Sequence, residues 1–253
     1  SATMMADLPG AQPFQTALGT GGNMAQIASL QPGHVLSNRF EIKAQIGAGA
    51  MGAVYRAHDR NRGEDIAVKV MLPGLIANDV AKQRFMNEAK IAIKLGHQHI
   101  VNTYDVQIDG AYIFITMELL EGTNLRQLMT EKKNQHQQWE EQQVLDIIKP
   151  LCEALSYAHQ YTIHRDIKPE NVWINRNGSI KLMDFGIARM MSDSQMTQTS
   201  AVLGTAYYMA PEQLTGAKGV DHRADQYSVG VMVYELLAES IPTGRFHSLS
   251  EVR

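Results

Sequence analysis

One eight-residue string, His164-Arg165-Asp166-Ile167-Lys168-Pro169-Glu170-Asn171, constrains this chain more than any other feature. Asp184-Phe185-Gly186 follows it, and then Ala210-Pro211-Glu212. Each string is weak alone, and Asp-Phe-Gly by itself reads as a simple turn. A turn does not explain why it comes thirteen residues after a loop that ends in Asn171. In this order and at these intervals the three strings leave little room for a second reading.

The pattern around them changes along the chain. Residues 1–33 are rich in Ala, Gly, Gln, Met and Thr, carry almost no charge and sustain no period. They read as a flexible tail with a break at Gly21-Gly22 and an optional short helix over 24–30. The folded part is expected to start near Leu36. Residues 40–46 alternate apolar and polar, as a half-buried strand does, and 54–58, 66–71, 101–107 and 112–119 read as further strands. Between them, 80–95 carries Phe85, Ala89, Ala92 and Ile93 at helical spacing. Helical patterns dominate from Leu125, over 144–161 and 225–238. Strands first and helices after predict an α+β arrangement with a cleft between its parts, and such clefts are favoured ligand sites.

Composition excludes several classes. The net charge is −3, so there is no nucleic-acid footprint and no polybasic patch. The richest apolar stretch, 229–241, is broken by Gly230, Glu235, Glu239 and Ser240, so no transmembrane helix is expected. The N-terminus lacks the charge-then-apolar pattern of a signal peptide. A single cysteine, Cys152, permits no intrachain disulfide and fits a reducing cytoplasm. Among Leu151, Ala154 and Leu155 it reads as a buried structural thiol.

Gly47-Ala48-Gly49-Ala50-Met51-Gly52-Ala53-Val54 has the form G-x-G-x-x-G-x-V. A dinucleotide-binding fold would place a helix directly after these glycines. Here Val54-Tyr55-Arg56-Ala57 is strand-like, so the glycines sit between two strands. An ordinary hairpin turn is the plainer reading, and Lys69 weighs against it. Lys69 ends the apolar strand Ile66-Ala67-Val68-Lys69, and a buried lone ammonium needs an anionic partner to keep its proton.

Taken together, these strings resemble the protein-kinase family, specifically the bacterial eukaryotic-like Ser/Thr kinases, over residues 36–240. The resemblance implies a bilobal α+β fold: a tail over 1–35, a small β-rich N-lobe with one key helix over 36–120, and a larger helical C-lobe over 121–253. It implies ATP as phosphoryl donor and Mg²⁺, or Mn²⁺, as cofactor. Gly47, Gly49 and Gly52 would lie over the phosphates, and Lys69 would hold them, paired with Glu88. Asp166 becomes the catalytic base and Lys168 neutralises the moving phosphoryl group. Asn171 and Asp184 become the metal ligands, oxygen donors suited to a hard cation. The adenine pocket would be made by Val54 and Ala67 above, Met117 as gatekeeper, the backbone of Glu118 and Leu120 at the hinge, and Trp173 as floor. Trp173 departs from the medium aliphatic usual there, and Trp139 lies away from the pocket in the polar run 135–143. His164 is structural and packs on Phe185. His99 replaces an Asn in the turn after the key helix, and no histidine pair has zinc spacing.

Gly204-Thr205 with Ala210-Pro211-Glu212, and Asp225 opening an apolar helix, match the peptide-docking platform of protein kinases. Thr197 and Thr199 resemble a doubly phosphorylated activation loop, with Arg165 and Arg189 available to an added phosphate. The implied partners are protein substrates and a homodimer for autophosphorylation, in the cytoplasm, with no nucleic acid. The family's last C-lobe helices, which supply an arginine to Glu212, are expected to be absent. A pseudokinase scaffold and a small-molecule phosphotransferase are the alternatives. Intact Lys69, Glu88, Asp166, Asn171 and Asp184 weigh against the first, and Ala210-Pro211-Glu212 with Gly204-Thr205 against the second.

Overall fold

The structure, a computed structural model, describes residues 30–49, 52–72, 79–185, 206–215, 219–242 and 248–252. The optional helix ahead of Leu30, and Arg189, Thr197, Thr199, Gly204 and Thr205, lie outside the described residues. Two compact units are present. One holds the described residues up to Lys94 together with Asn102–Leu120. The other holds Leu95–Val101 and the described residues from Glu121 onward.

The first unit is an antiparallel sheet with one helix. Its strands are β1 (Val35–Leu36), β2 (Phe40–Gly49), β3 (Gly52–Asp59), β4 (Glu64–Met71), β5 (Thr103–Asp109) and β6 (Tyr112–Met117), and its helix is α1 (Asp79–Lys94). The strand order is β1-β2-β3-β4-β6-β5. Side chains alternate across a strand, so each contributes to two faces. Ala53, Tyr55 and Ala57 of β3 join Ile66, Val68 and Val70 of β4, with Leu36, Phe40, Ile42 and Phe114, in one core. Leu30 belongs to the same core, and its amide donates to the Tyr55 hydroxyl at 3.2 Å. Packing therefore starts ahead of Leu36. The intervening residues Val54, Ala67 and Lys69 face the other way.

Strand β5 begins at Thr103 rather than at Val101. The Val101 amide donates to Leu182 O at 3.0 Å, and Ile100 forms a parallel bridge with Leu182. The second unit thus takes Leu95–Val101, which apolar periodicity alone assigns in part to the following strand.

The second unit contains β7 (Gly122–Asn124), α2 (Leu125–Asn134), α3 (Glu141–Ala158), a 3₁₀ turn (Pro169–Asn171), β8 (Val172–Asn175), β9 (Ile180–Leu182), α4 (Pro211–Leu214), α5 (Arg223–Ala238) and α6 (Leu249–Val252). Asn124 and Gln127 form a reciprocal capping box that starts α2. Helix α3 buries Val144, Ile147, Leu151, Ala154, Leu155 and Ala158, and it packs on α5. Cys152 is one position past Leu151, about 100° around the helix, and it is exposed. This corrects the expectation of a buried thiol. Trp139, despite its polar neighbours, is only 4% exposed, with Lys132 Nζ 5.0 Å from its ring. Strands β7, β8 and β9 form a small sheet that periodicity missed, because three or four residues are too short for a pattern. Among the described residues no helix is long and apolar enough to cross a membrane.

The glycine-rich hairpin carries a testable asymmetry. A β-carbon on Gly52, at φ +153°, would lie 2.0 Å from the Val70 carbonyl oxygen. One on Gly49 would meet nothing within 4 Å. Gly52→Ala should cost about 2–4 kcal/mol of stability and Gly49→Ala under about 1. Urea unfolding of the two variants checks this, and equal losses would contradict it.

Candidate active site

The string at 164–171 forms a loop that opens on a strained turn. Arg165 lies at φ +66° and Asp184 at φ +64°, a region costly for residues with a β-carbon. Asp225, fully buried near the start of α5, holds the first turn in place. It accepts hydrogen bonds from the His164 amide (2.9 Å), the Arg165 amide (2.7 Å) and His159 Nε2 (2.8 Å). Burial raises the carboxyl's pKa. The His159 bond, the nearby His164 ring and the two amides outweigh that, so the group titrates below its ordinary value. His164 is 1% exposed. Its Nε2–H donates to the Met183 carbonyl at 2.8 Å, and its Nδ1 accepts from the Asp166 amide at 3.3 Å. Its ring meets Phe185 edge-on, with centroids 4.6 Å apart.

Asp166 is 8% exposed. Its Oδ2 meets Lys168 Nζ at 2.9 Å and accepts from Asn171 Nδ2 at 3.0 Å. Asn171 Nδ2 also donates to the Asp166 carbonyl, at 2.7 Å. With its nitrogen committed inward, the Asn171 amide has its oxygen as the end suited to a cation. Asp184 lies close by in the chain path. Val172 pairs with Leu182, and the Met183 amide donates to Asn171 O at 2.9 Å. The two predicted metal ligands thus sit at the same end of the β8–β9 hairpin, and their oxygen donors fit a hard divalent cation. Trp173 is in β8, only 8% exposed, between register partners Asn124 and Lys181.

In the first unit, register assembles the other predicted residues. Val54 pairs with Lys69, Lys69 with Ile115, and Ala67 with Met117, so these side chains share the face opposite the core. Lys69 is 7% exposed. Glu88 is in α1, three residues after buried Phe85 and four before buried Ala92, and so lies along the packed side of that helix. Gly47 pairs with Val54 and Gly49 with Gly52. Only Gly52 is required by packing, so the other two leave backbone bare for no internal reason. The Glu118 amide donates to Asn102 O at 2.9 Å, and its carboxylate accepts from the Asn102 amide at 2.7 Å, which orients the Met117–Glu118 peptide.

Sequence reasoning missed a second charged cluster. Arg126 Nη1 donates to Glu235 Oε1 at 2.7 Å, Arg126 Nε donates to Glu170 at 2.9 Å, and the Tyr208 hydroxyl bonds both Arg126 and Glu235. Burial lowers the guanidinium's pKa, but the Glu235 and Glu170 carboxylates raise it more, and the net shift is upward. This cluster ties α2, α5 and the segment before α4 to the loop. Arg126 and Glu235 are 109 residues apart, and no local pattern marks them as partners.

The family model described as protein kinase domain matches residues 40–251. The chain is 42% identical over 214 residues to a probable serine/threonine-protein kinase of Streptomyces coelicolor, covering 82% of this chain and 31% of that protein. It is 41% identical over 215 residues to the probable serine/threonine-protein kinase PknB of Corynebacterium glutamicum, covering 82% and 32%. The chain therefore spans about a third of the length of these curated relatives. It is also similar to the crystal structure of the Mycobacterium tuberculosis PknI kinase domain, with TM-score 0.72 and 29% identity over 89% of this chain and 86% of that one.

The Asp225 geometry predicts a pH-dependent stability. A carboxyl whose folded pKa is depressed stabilises the fold above its unfolded pKa, and that contribution is lost as pH falls through the folded pKa. Asp225→Asn should lower stability by about 2–4 kcal/mol at neutral pH. Urea unfolding should show the gap narrowing as pH falls below about 4. A gap that stays constant with pH would contradict a role for the charge.

Proposed function

The chain belongs to the protein kinase domain family, and on that premise we propose that it transfers the γ-phosphoryl group of ATP to Ser/Thr hydroxyls of protein substrates. The observation that carries this reading is the Asp166 carboxylate, aimed by Lys168 and Asn171 on a loop whose strained turn is clamped by buried Asp225. The relatives' names, serine/threonine-protein kinases, support the acceptor class. We assign the unit formed by the described residues up to Lys94 with Asn102–Leu120 to the N-lobe, and the unit formed by Leu95–Val101 with the described residues from Glu121 onward to the C-lobe.

In this reading the substrate hydroxyl loses its proton to Asp166 as its oxygen bonds the γ-phosphorus and the bond to the departing ADP oxygen breaks. Lys168, already beside Asp166, offsets negative charge on the transferred group. Lys69 orients the α- and β-phosphates, with Glu88 as its anionic partner. Backbone at Gly47 and Gly49 approaches the phosphates closely. Val54, Ala67 and Met117 contribute an apolar face to adenine, the Glu118 carbonyl and Leu120 amide meet its polar edge, and Trp173 is the residue at the floor. Mg²⁺, or Mn²⁺, held by Asn171 and Asp184, would neutralise phosphate charge. We place the activity in the cytoplasm, with a second copy of the chain as a substrate in autophosphorylation.

Asp166→Asn should lower kcat by about 10²–10⁴ with little change in KM for ATP, because the loss lies on the chemical step. Asp184→Asn should abolish transfer at limiting Mg²⁺. Radiolabelled ATP with a generic basic protein and a small-molecule panel measures both and separates the alternatives. Transfer to small molecules alone, or full activity of Asp166→Asn, would sink the proposal.

Thr197 and Thr199 should acquire phosphate after incubation with ATP and Mg²⁺, located by mass spectrometry. Each phosphate adds about −1.5 to −2 charge. The double variant Thr197→Ala/Thr199→Ala should lose most activity toward an added substrate. Undiminished activity would show that these threonines are not the switch.

A further inference from the structure

The peptide that joins Arg165 to Asp166 is held by a side chain from a distant segment. Arg165 occupies the left-handed region, so its turn needs restraint to persist. Its amide is held from one side by Asp225 Oδ1 at 2.7 Å. Its carbonyl is held from the other by Gln213 Nε2, which donates to it at 2.9 Å. The nitrogen of that same peptide belongs to Asp166, and its N–H donates to His164 Nδ1 at 3.3 Å. Gln213 therefore pins the carbonyl edge of the peptide plane from which Asp166 projects.

The other end of the Gln213 side chain is equally committed. Its Oε1 accepts from the Ala210 amide at 3.0 Å, closing the first turn of α4. Chemistry decides which way the amide points. The Arg165 carbonyl needs a donor and the Ala210 amide needs an acceptor, so a flipped amide would fail at both ends. Glutamate would offer two acceptors and no donor to the carbonyl. Leucine would offer neither group. Glutamine alone among side chains of this length joins a helix start to a carbonyl in this way.

We propose that Gln213 is a positioning residue for Asp166, acting through the Arg165 carbonyl and coupling α4 to the loop that carries the proton acceptor. This rests on the reading of Asp166 as that acceptor. Gln213 touches no reacting group. Its effect is on the direction of the Asp166 backbone, and small misplacements of a reacting group are costly to rate.

Three variants of the chain test it. Gln213→Glu keeps the acceptor for Ala210 and removes the donor to Arg165. Gln213→Leu removes both. Asp166→Asn reports on the parent reading. Single-turnover transfer to a generic protein substrate, KM for ATP and thermal melting are measured for each. Both Gln213 variants should lose about tenfold in the transfer rate with KM for ATP unchanged, and Gln213→Glu should melt with the unsubstituted chain. Full rate in Gln213→Glu, beside an inactive Asp166→Asn, overturns the positioning role and leaves the parent reading intact. A parallel loss of ATP affinity and thermal stability in Gln213→Glu overturns it as well, since that is general destabilisation. An active Asp166→Asn overturns the parent reading and the inference together.

Discussion

The second unit is organised around one buried carboxylate. Asp225 is fully enclosed, and an ion in that position persists only if its hydrogen bonds replace water. It obtains them from two consecutive amides, His164 and Arg165, and from His159. The left-handed turn at Arg165, φ +66°, follows directly after these two anchored amides. Everything downstream inherits that turn: His164 is carried under Met183 and Phe185, and Asp166 emerges between Lys168 and Asn171.

A second constraint shapes the first unit. The β3–β4 register runs unbroken from Gly52–Met71 to Asp59–Glu64. Its period of two sends Tyr55, Val68 and Val70 into the core and leaves Val54, Ala67 and Lys69 together on the reverse face. A slip of one residue would bury the lysine in the apolar core. The close passage of Gly52 over Val70 is the contact that holds this register at the open end of the hairpin. Gly47 and Gly49 have no comparable neighbour, which separates a glycine demanded by packing from two that leave backbone uncovered.

Where local pattern was long, it was reliable. Strands β2 and β3 largely alternate, β4 and β6 are largely apolar runs, and helices α1 and α3 carry apolar residues at helical spacing over many positions. Failures came where a partner outside the segment decided the outcome. Val101 has strand-like neighbours, yet its amide goes to Leu182. Cys152 shares a helix with buried residues but sits off their stripe. Trp139 stands among glutamines and is buried all the same, its ring covered by Lys132. The sheet β7-β8-β9 is built from pieces too short to have a period.

The sequence by itself determined the family, the α+β composition and the identities of the chemically distinctive residues, because ordered short strings of Asp, Asn, Lys and Gly are local information. Only the tertiary structure decided which groups hold them. Asp225 reaches the loop from 60 residues away, Gln213 from 48, and Arg126 finds Glu235 across 109. Such bonds depend on where the chain returns in space. A polar side chain destined for burial looks the same in sequence as one left in water, until the fold supplies its partners.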